Sequence, residues 1–314
     1  MSGACGSRET GVGSRSRTSG IRLYSLLASA SARGFTLVEL VVTMVLSGIV
    51  LAFMGMFITA PVQAYGAQTR RAEMVDSADA VLRLMTRDIH AALPNSVRIA
   101  VNGNFVALEL LETVDAARYR NSGASTAPAQ ELDFSAADGA FATLGELEIP
   151  SDLASTQYYL SIYNIGLAGA NAYELANVIT SATTTIGISN PGTGESLVTL
   201  APAFRFAYGS PGRRVFLVRG PVTYLCNTTS GAITRYARYA ITAVQRNSAA
   251  SFAGITGSAV ASSVSVCQFT YNQGTAARAG LVTLAVTLSR TDPSFSSQTE
   301  SVRLLQQVHV ENAP

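Results

Sequence analysis

Residues 35–60, FTLVELVVTMVLSGIVLAFMGMFITA, are an apolar run of 26 residues broken by one charge, Glu39. As an α-helix this run reaches about 39 Å at 1.5 Å per residue. That exceeds the roughly 30 Å hydrocarbon core of a bilayer, so the segment is long enough to span a membrane. A buried helix of a water-soluble domain is disfavoured, because no polar stripe marks a solvent-facing side. Glu39 is the anomaly. A carboxylate inside such a segment costs roughly 2.5–3.5 kcal/mol on insertion scales and ordinarily marks a function or a partner. The plainer alternative is a simple anchor in which Glu39 reaches the membrane interface.

Residues 1–34 are rich in Gly, Ser and Arg, with Arg8, Arg15, Arg17, Arg22 and Arg33 against the single acid Glu9. They lack an amphipathic period and read as a leader rather than a folded element. Arginine before the span favours a cytoplasmic leader. Ala28-Ser29-Ala30 and Ala30-Ser31-Ala32 have the small-residue spacing of a signal-peptidase site. The apolar run before them is short and broken by Tyr24 and Ser25, which argues against that processing.

Beyond Pro61, Met74, Ala78, Val81, Met85, Ile89 and Ala92 recur at spacings of three and four, with Arg70, Arg71, Glu73, Asp76, Asp79, Arg83 and Arg87 elsewhere. This predicts an amphipathic helix packed on a core. Pro94 should end it, and Pro61 is placed to kink it near the membrane exit. Gly48 and Gly55 weaken the span by about 1 kcal/mol each relative to Ala.

From Ser96 the pattern turns to strands, in FVALELLET (105–113), QYYLSIYNIG (157–166), RRVFLVRGPVTYLC (213–226), ITRYARYAITAV (233–244) and GLVTLAVTLSR (280–290). These are rich in β-branched and aromatic residues and bounded by Gly, Asn, Ser or Pro. In the last, Val282, Leu284, Val286 and Leu288 alternate with Thr283, Ala285, Thr287 and Ser289, which predicts a strand with one buried face. Stretches 121–130, 168–196 and 246–263 are small, polar and irregular, and are expected to be loops. The expected class is α+β: a long N-terminal helix packed on a β-rich, mainly antiparallel head. The divisions are 1–34 leader, 35–60 transmembrane half of the helix, 61–93 amphipathic half and 94–314 head.

With 48% hydrophobic and 13% charged residues, the chain is not disordered throughout. Net charge is +2, all 22 basic residues are Arg, and no segment is polybasic, so no nucleic-acid partner is expected. The only histidines are His90 and His309. His90 near a helix C-terminus suits the dipole there. No nucleophile elbow, phosphate-binding loop or zinc-protease motif is present, so neither a catalytic residue nor a cofactor is expected. Asp133 with Asp138, and Glu146 with Glu148, could meet a cation but read as solvated acids.

Cys226 ends one strand run and Cys267 lies in another, SVSVCQFTY. In an oxidising compartment they are the natural pair, closing a loop of about 42 residues worth roughly 4 kcal/mol. Two free buried thiols are the alternative. Metal binding is disfavoured by the lack of CxxC or paired His.

Arg33-Gly34-Phe35-Thr36-Leu37-Val38-Glu39-Leu40 resembles the type III signal of type IV prepilins. The resemblance implies cleavage by prepilin peptidase between Gly34 and Phe35, N-methylation of the new Phe35 amine and a mature chain of 280 of the 314 residues. Glu39 then becomes its fifth residue and an assembly residue. Its carboxylate can pair with the Phe35 ammonium of this or a neighbouring subunit, and a register error would leave both charges unpaired in an apolar layer. A 34-residue leader is longer than many in the family. An internal start would need a non-Met codon, since no Met lies between Met1 and Gly34.

Longer strings narrow the likeness: LRLMTRDIHAALPNSVRI (82–99), LELLETVDAARYR (108–120), ELDF (131–134), LSIYNIG (160–166) and SPGRRVFLVRGPVTYLC (210–226). They resemble the MshO family, large minor pilins of mannose-sensitive haemagglutinin (MSHA) type pili. In that family GPVTYLC carries the first of two head cysteines, matching Cys226, and Cys267 stands where the second is expected. The resemblance implies a non-enzymatic minor pilin that helps assemble or prime a pilus serving adhesion. It also implies a single-pass inner-membrane precursor with a periplasmic head, exposed at the cell surface after assembly. The implied partners are prepilin peptidase, other pilins, the inner-membrane assembly platform and membrane lipid. A J-type minor pseudopilin of a type II secretion system is the alternative. A DNA-uptake pilin is a third reading and would need the Arg213, Arg214 and Arg219 cluster to form an exposed basic stripe.

Overall fold

The computed structural model describes residues 34–120, 131–150, 158–192, 194–274, 279–291 and 299–311. The expected leader up to Arg33 and the expected loop 121–130 lie outside the described residues. The chain divides into two compact units, Met1–Ala60 and Pro61–Pro314.

One helix, α1 (Leu37–His90), begins in the first unit and ends in the second. Pro61 lies within it and does not terminate it, although its ring removes one backbone donor. The helix stops at His90, three residues short of the expected 93. Sheet bonding replaces helix bonding there, because the Leu93 N–H donates to the Leu111 carbonyl at 2.8 Å and the Thr113 N–H to the Ala91 carbonyl at 2.7 Å.

The second unit holds two sheets. The larger comprises β1 (Arg98–Asn102), β2 (Phe105–Tyr119), β3 (Asp138–Leu144), β4 (Tyr159–Ser161), β5 (Thr185–Ser189), β6 (Glu195–Phe204), β7 (Arg214–Asn227), β8 (Ala232–Ala237) and β9 (Gly257–Ala261). The smaller comprises β10 (Val264–Asn272), β11 (Gly280–Thr291) and β12 (Thr299–Val310), in that order. Every paired strand is antiparallel to its neighbour. The fold is therefore α+β, as the sequence predicts.

The long strands β2 and β7 pair centrally. On its far side β7 pairs first with β4, over Phe216–Val218, and then with β8, over Val222–Asn227. Pro221 sits in the gap between the two. A residue without an N–H is tolerated there because neither neighbour requires that donor. Gly220 precedes it at φ +124° and follows the register shift opposite Glu112 and Thr113, a conformation that glycine adopts without strain.

The amphipathic positions Met74, Ala78, Val81, Met85 and Ile89 are fully buried, and they share one core with Leu108, Leu110, Val222 and Tyr224 of the large sheet and Val282, Leu284, Val286 and Leu288 of β11. Burial of each Val, Leu, Ile or Met side chain among these contributes about 1.5–3 kcal/mol. A second core gathers Phe141, Leu160, Val198, Phe206 and Leu217 under the other end of the large sheet.

Several expectations need correction. Stretch 168–196 is not all loop: it contains β5, a short 3-10 turn at Ala172–Glu174 and the start of β6. Stretch 246–263 contains a 3-10 turn at Ala249–Phe252 and β9. These pieces are short and owe their order to pairing with β6 and β8 rather than to their own composition. Conversely, among described residues only Tyr159–Ser161 of the run 157–166 forms a strand, and the run 233–244 is a strand only to Ala237.

Candidate processing and assembly site

The first described residues build a helix start. The Glu39 N–H donates to Thr36 Oγ1 at 3.2 Å and the Leu40 N–H to the Thr36 carbonyl at 3.1 Å, so Thr36 is the N-cap of α1. Thr36-Leu37-Val38-Glu39 has the spacing of a capping box, of which the Thr36 half is formed. Glu39 lies in the first turn. A carboxylate there faces the positive end of the helix dipole, worth about 0.3–1 kcal/mol. Gly34 and Phe35 precede the cap, outside the helix. Phe35 is 77% exposed, and a side chain added at Gly34 would meet no atom within 4 Å. Gly34, Phe35, Thr36 and Glu39 thus converge on one exposed helix entrance.

Behind that entrance the helix is uncovered. Every large apolar side chain from Leu37 to Ile58 is exposed, down to Leu40 and Ile49 at 48%. Thr43 and Thr59 return their hydroxyls to the Leu40 and Gly55 carbonyls, at 3.0 and 2.9 Å, the usual way of satisfying a polar side chain in an apolar helix. Among the described residues this is the one helix long and apolar enough to cross a membrane, with a mean hydropathy of 2.5 over its most apolar stretch. So large an apolar surface requires lipid or other helices around it, which points to membrane anchoring.

In the head, Cys226 and Cys267 are joined, with an S–S distance of 2.08 Å and a Cα–Cα distance of 6.5 Å. The bond runs from β7 to β10 and ties the two sheets together. Asp133 and Asp138 organise a turn: Asp133 Oδ1 accepts from the Ser135 N–H at 2.7 Å and hydroxyl at 2.6 Å, and Asp138 Oδ2 accepts from the Asp133 N–H at 3.0 Å. The Ser135 hydrogen bonds hold the Asp133 carboxyl below its usual range. Glu146 and Glu148 are exposed, and no cluster of three or more metal-ligating side chains occurs among the described residues. His90 and His309 are both exposed. Arg214 and Arg219 face Glu311 and Glu112 at 3.7 and 4.0 Å, so the arginine cluster is interleaved with acids.

Two buried carboxylates were not evident in the sequence. Asp88, 3% exposed, accepts from the Tyr224 hydroxyl and from Arg235 Nε, both at 2.7 Å. Burial, and then Asp88 itself, push the Tyr224 hydroxyl well above its usual range. Glu109, fully buried, accepts from Arg98 Nη2 at 2.9 Å. The same guanidinium donates to the Thr242 and Ala243 carbonyls and lies 3.5 Å from the centre of the Tyr173 ring. Burial raises the Glu109 carboxyl and Arg98 partly offsets this. Asp88 could have been found as an acid falling in the apolar stripe between Met85 and Ala92. Glu109 could have been found by folding the chain back at Gly103-Asn104, which sets it opposite Arg98.

Residues 29–55 match the family model described as the prokaryotic N-terminal methylation motif. No curated protein and no solved structure matches the chain. The matched segment contains Gly34, Phe35, Thr36 and Glu39 together with most of the uncovered helix. The chain therefore carries a type IV pilin-like prepilin signal at its N-terminus, a motif that implies processing by prepilin peptidase and assembly with other pilin-like subunits.

Proposed function

We propose that this protein is a minor pilin of an MSHA-like type IV pilus, made as a membrane-anchored precursor and cleaved between Gly34 and Phe35. N-methylation of Phe35 follows, and assembly proceeds through α1, with Glu39 pairing to a Phe35 amine in the filament. The head lies in the periplasm before assembly and at the cell surface afterwards, contributing to pilus priming and attachment, and it has no catalytic role. The carrying observation is the methylation motif at 29–55, set on an exposed, capped helix entrance with one carboxylate in its first turn. The disulfide between β7 and β10 suits a head outside the cytoplasm. The motif is common to pilins and pseudopilins; the strings at 82–99 and 210–226 favour the pilus. Mass spectrometry of the membrane-fraction protein tests the processing. The expected N-terminus is N-methylated Phe35, and a chain retaining Arg33 would overturn it. Neighbouring genes for a pilus assembly ATPase and major pilin, rather than a secretion operon, are expected.

A further inference from the structure

The outer strands of the two sheets are not alike. β5 and β9, at the ends of the large sheet's strand order, have five residues each, and β10 carries a register shift between Val264 and Val266. β12 has twelve residues, pairs with β11 one to one from Gly280 and Val310 to Thr291 and Thr299 without a shift, and contains no proline. Among the described residues no strand lies on its other side. Natural sheets usually blunt such an edge by shortness, bulge, proline or charge, because its unpaired backbone groups are a template for another extended chain. β12 does carry Glu300 and Arg303, but these are engaged by Arg71 at 3.6 Å and by Gln268 at 3.2 Å. Leu305, in the middle of β12, is 57% exposed.

Beside this edge runs a groove of about 380 Å³, lined by Gln306 of β12 and by Asp79, Leu82, Arg83, Thr86, Arg87 and His90 of α1. Its charges do not cancel. Arg83 is committed to Asp79 at 2.6 Å. Asp88 is already held by Arg235 at 2.7 Å, and Arg87, 3.3 Å from Asp88, keeps a side chain 73% exposed. Within the groove Asp79 neutralises Arg83, whereas Arg87 shares Asp88, which lies outside the groove lining, with Arg235. Arg87 Nε and Nη2 donate to Asp88 Oδ1 at 3.4 and 3.3 Å while Arg235 holds Oδ2, so one positive charge is left over at the exposed Arg87.

We propose that β12 is a docking edge that accepts an extended segment of another protein by β-strand addition, with a carboxylate of that segment meeting Arg87. Main-chain hydrogen bonds to β12 supply affinity and the carboxylate selects the partner and its register. A helical partner has no free main-chain groups to offer, and a basic strand meets a like charge. This role belongs to the unit Pro61–Pro314 and does not depend on processing or anchoring of the N-terminal segment.

The test uses the full chain in detergent micelles and a fluorescent nonapeptide of alternating threonine and valine with one central glutamate. Saturable binding is expected, weakened about tenfold when the glutamate is replaced by lysine, and at least as much when alternate backbone amides of the peptide are N-methylated. In Arg87→Glu protein with an unchanged unfolding temperature, the lysine peptide should bind better than the glutamate peptide. A photo-crosslinking version of the peptide should label residues 299–310. No saturable binding, indifference to backbone methylation, an unchanged peptide preference in Arg87→Glu, or labelling at β5 or β9 would each overturn the proposal.

Discussion

The Tyr224 hydroxyl donates to Asp88 Oδ2 at 2.7 Å, fastening the middle of the large sheet to the last turn of α1. Arg235 of β8 reaches the same oxygen, so one buried carboxylate joins three elements. Removing it leaves a guanidinium and a hydroxyl unpaired in the core. Asp88→Ala should therefore destabilise the head by about 3–5 kcal/mol, and Tyr224→Phe, which leaves the ion pair in place, by about 1.5–3 kcal/mol. Denaturant unfolding of both variants checks this. A loss under about 1 kcal/mol for Asp88→Ala would show the node to be unimportant.

Reduction of the Cys226–Cys267 bond should loosen the two sheets from each other. Replacing either cysteine by serine should lower stability by about 4 kcal/mol, since the bond closes a loop with a sequence separation of 41. Non-reducing peptide mapping of protein from the cell envelope should recover the two cysteines in one linked species. Free thiols at both positions would contradict the bond.

Replacing Glu39 with valine separates anchoring from assembly. The substitution removes a charge that is costly in lipid, so insertion should be unchanged or improved. Cleavage should continue, because Gly34, Phe35 and the Thr36 cap are untouched. Incorporation should fall, because the Phe35 amine of a neighbour would lack its counter-charge in an apolar layer. The readout is the fraction of cleaved variant recovered in sheared pili, or with other minor pilins, relative to wild type. Equal recovery would eliminate the pairing.

Glu109 should leave a mark on the pH dependence of stability. Its carboxyl titrates higher in the folded head than in the unfolded chain, because burial outweighs the attraction of Arg98. The folded state therefore binds the proton more readily. Its contribution is fully present below the unfolded value of about 4.3, and is lost as pH rises through the folded value. Glu109→Gln should flatten that decline, measured as the difference in unfolding free energy between wild type and variant from pH 4 upward. Parallel profiles would refute the assignment.

The sequence alone determined the apolar half of α1. An apolar run with a single charge needs no partner to declare its length, and local hydrogen bonding suffices for a helix whose side chains meet lipid or other helices. The stripe from Met74 to Ile89 was legible for the same reason, because helical period is a local property that burial then exploits. β11 was legible too, since alternation along one strand reports a single buried face.

Only tertiary structure decided the rest. β5 and β9 are too short and plain to be strands by composition, and exist because β6 and β8 offer them backbone partners. The helix ends at His90 rather than nearer Pro94 because the Leu111 carbonyl and Thr113 amide, from a strand more than fifteen residues on, take over the backbone bonds of Ala91 and Leu93. The local signs at Asp88, its place in the apolar stripe, and at Glu109, its place opposite Arg98 across the turn at Gly103-Asn104, do not by themselves reveal how each is held. Their charges are tolerated inside because Arg98, Tyr224 and Arg235 arrive to pair them; Arg98 reaches Glu109 across one hairpin, but no spacing along the chain encodes the meeting of Tyr224 and Arg235 with Asp88.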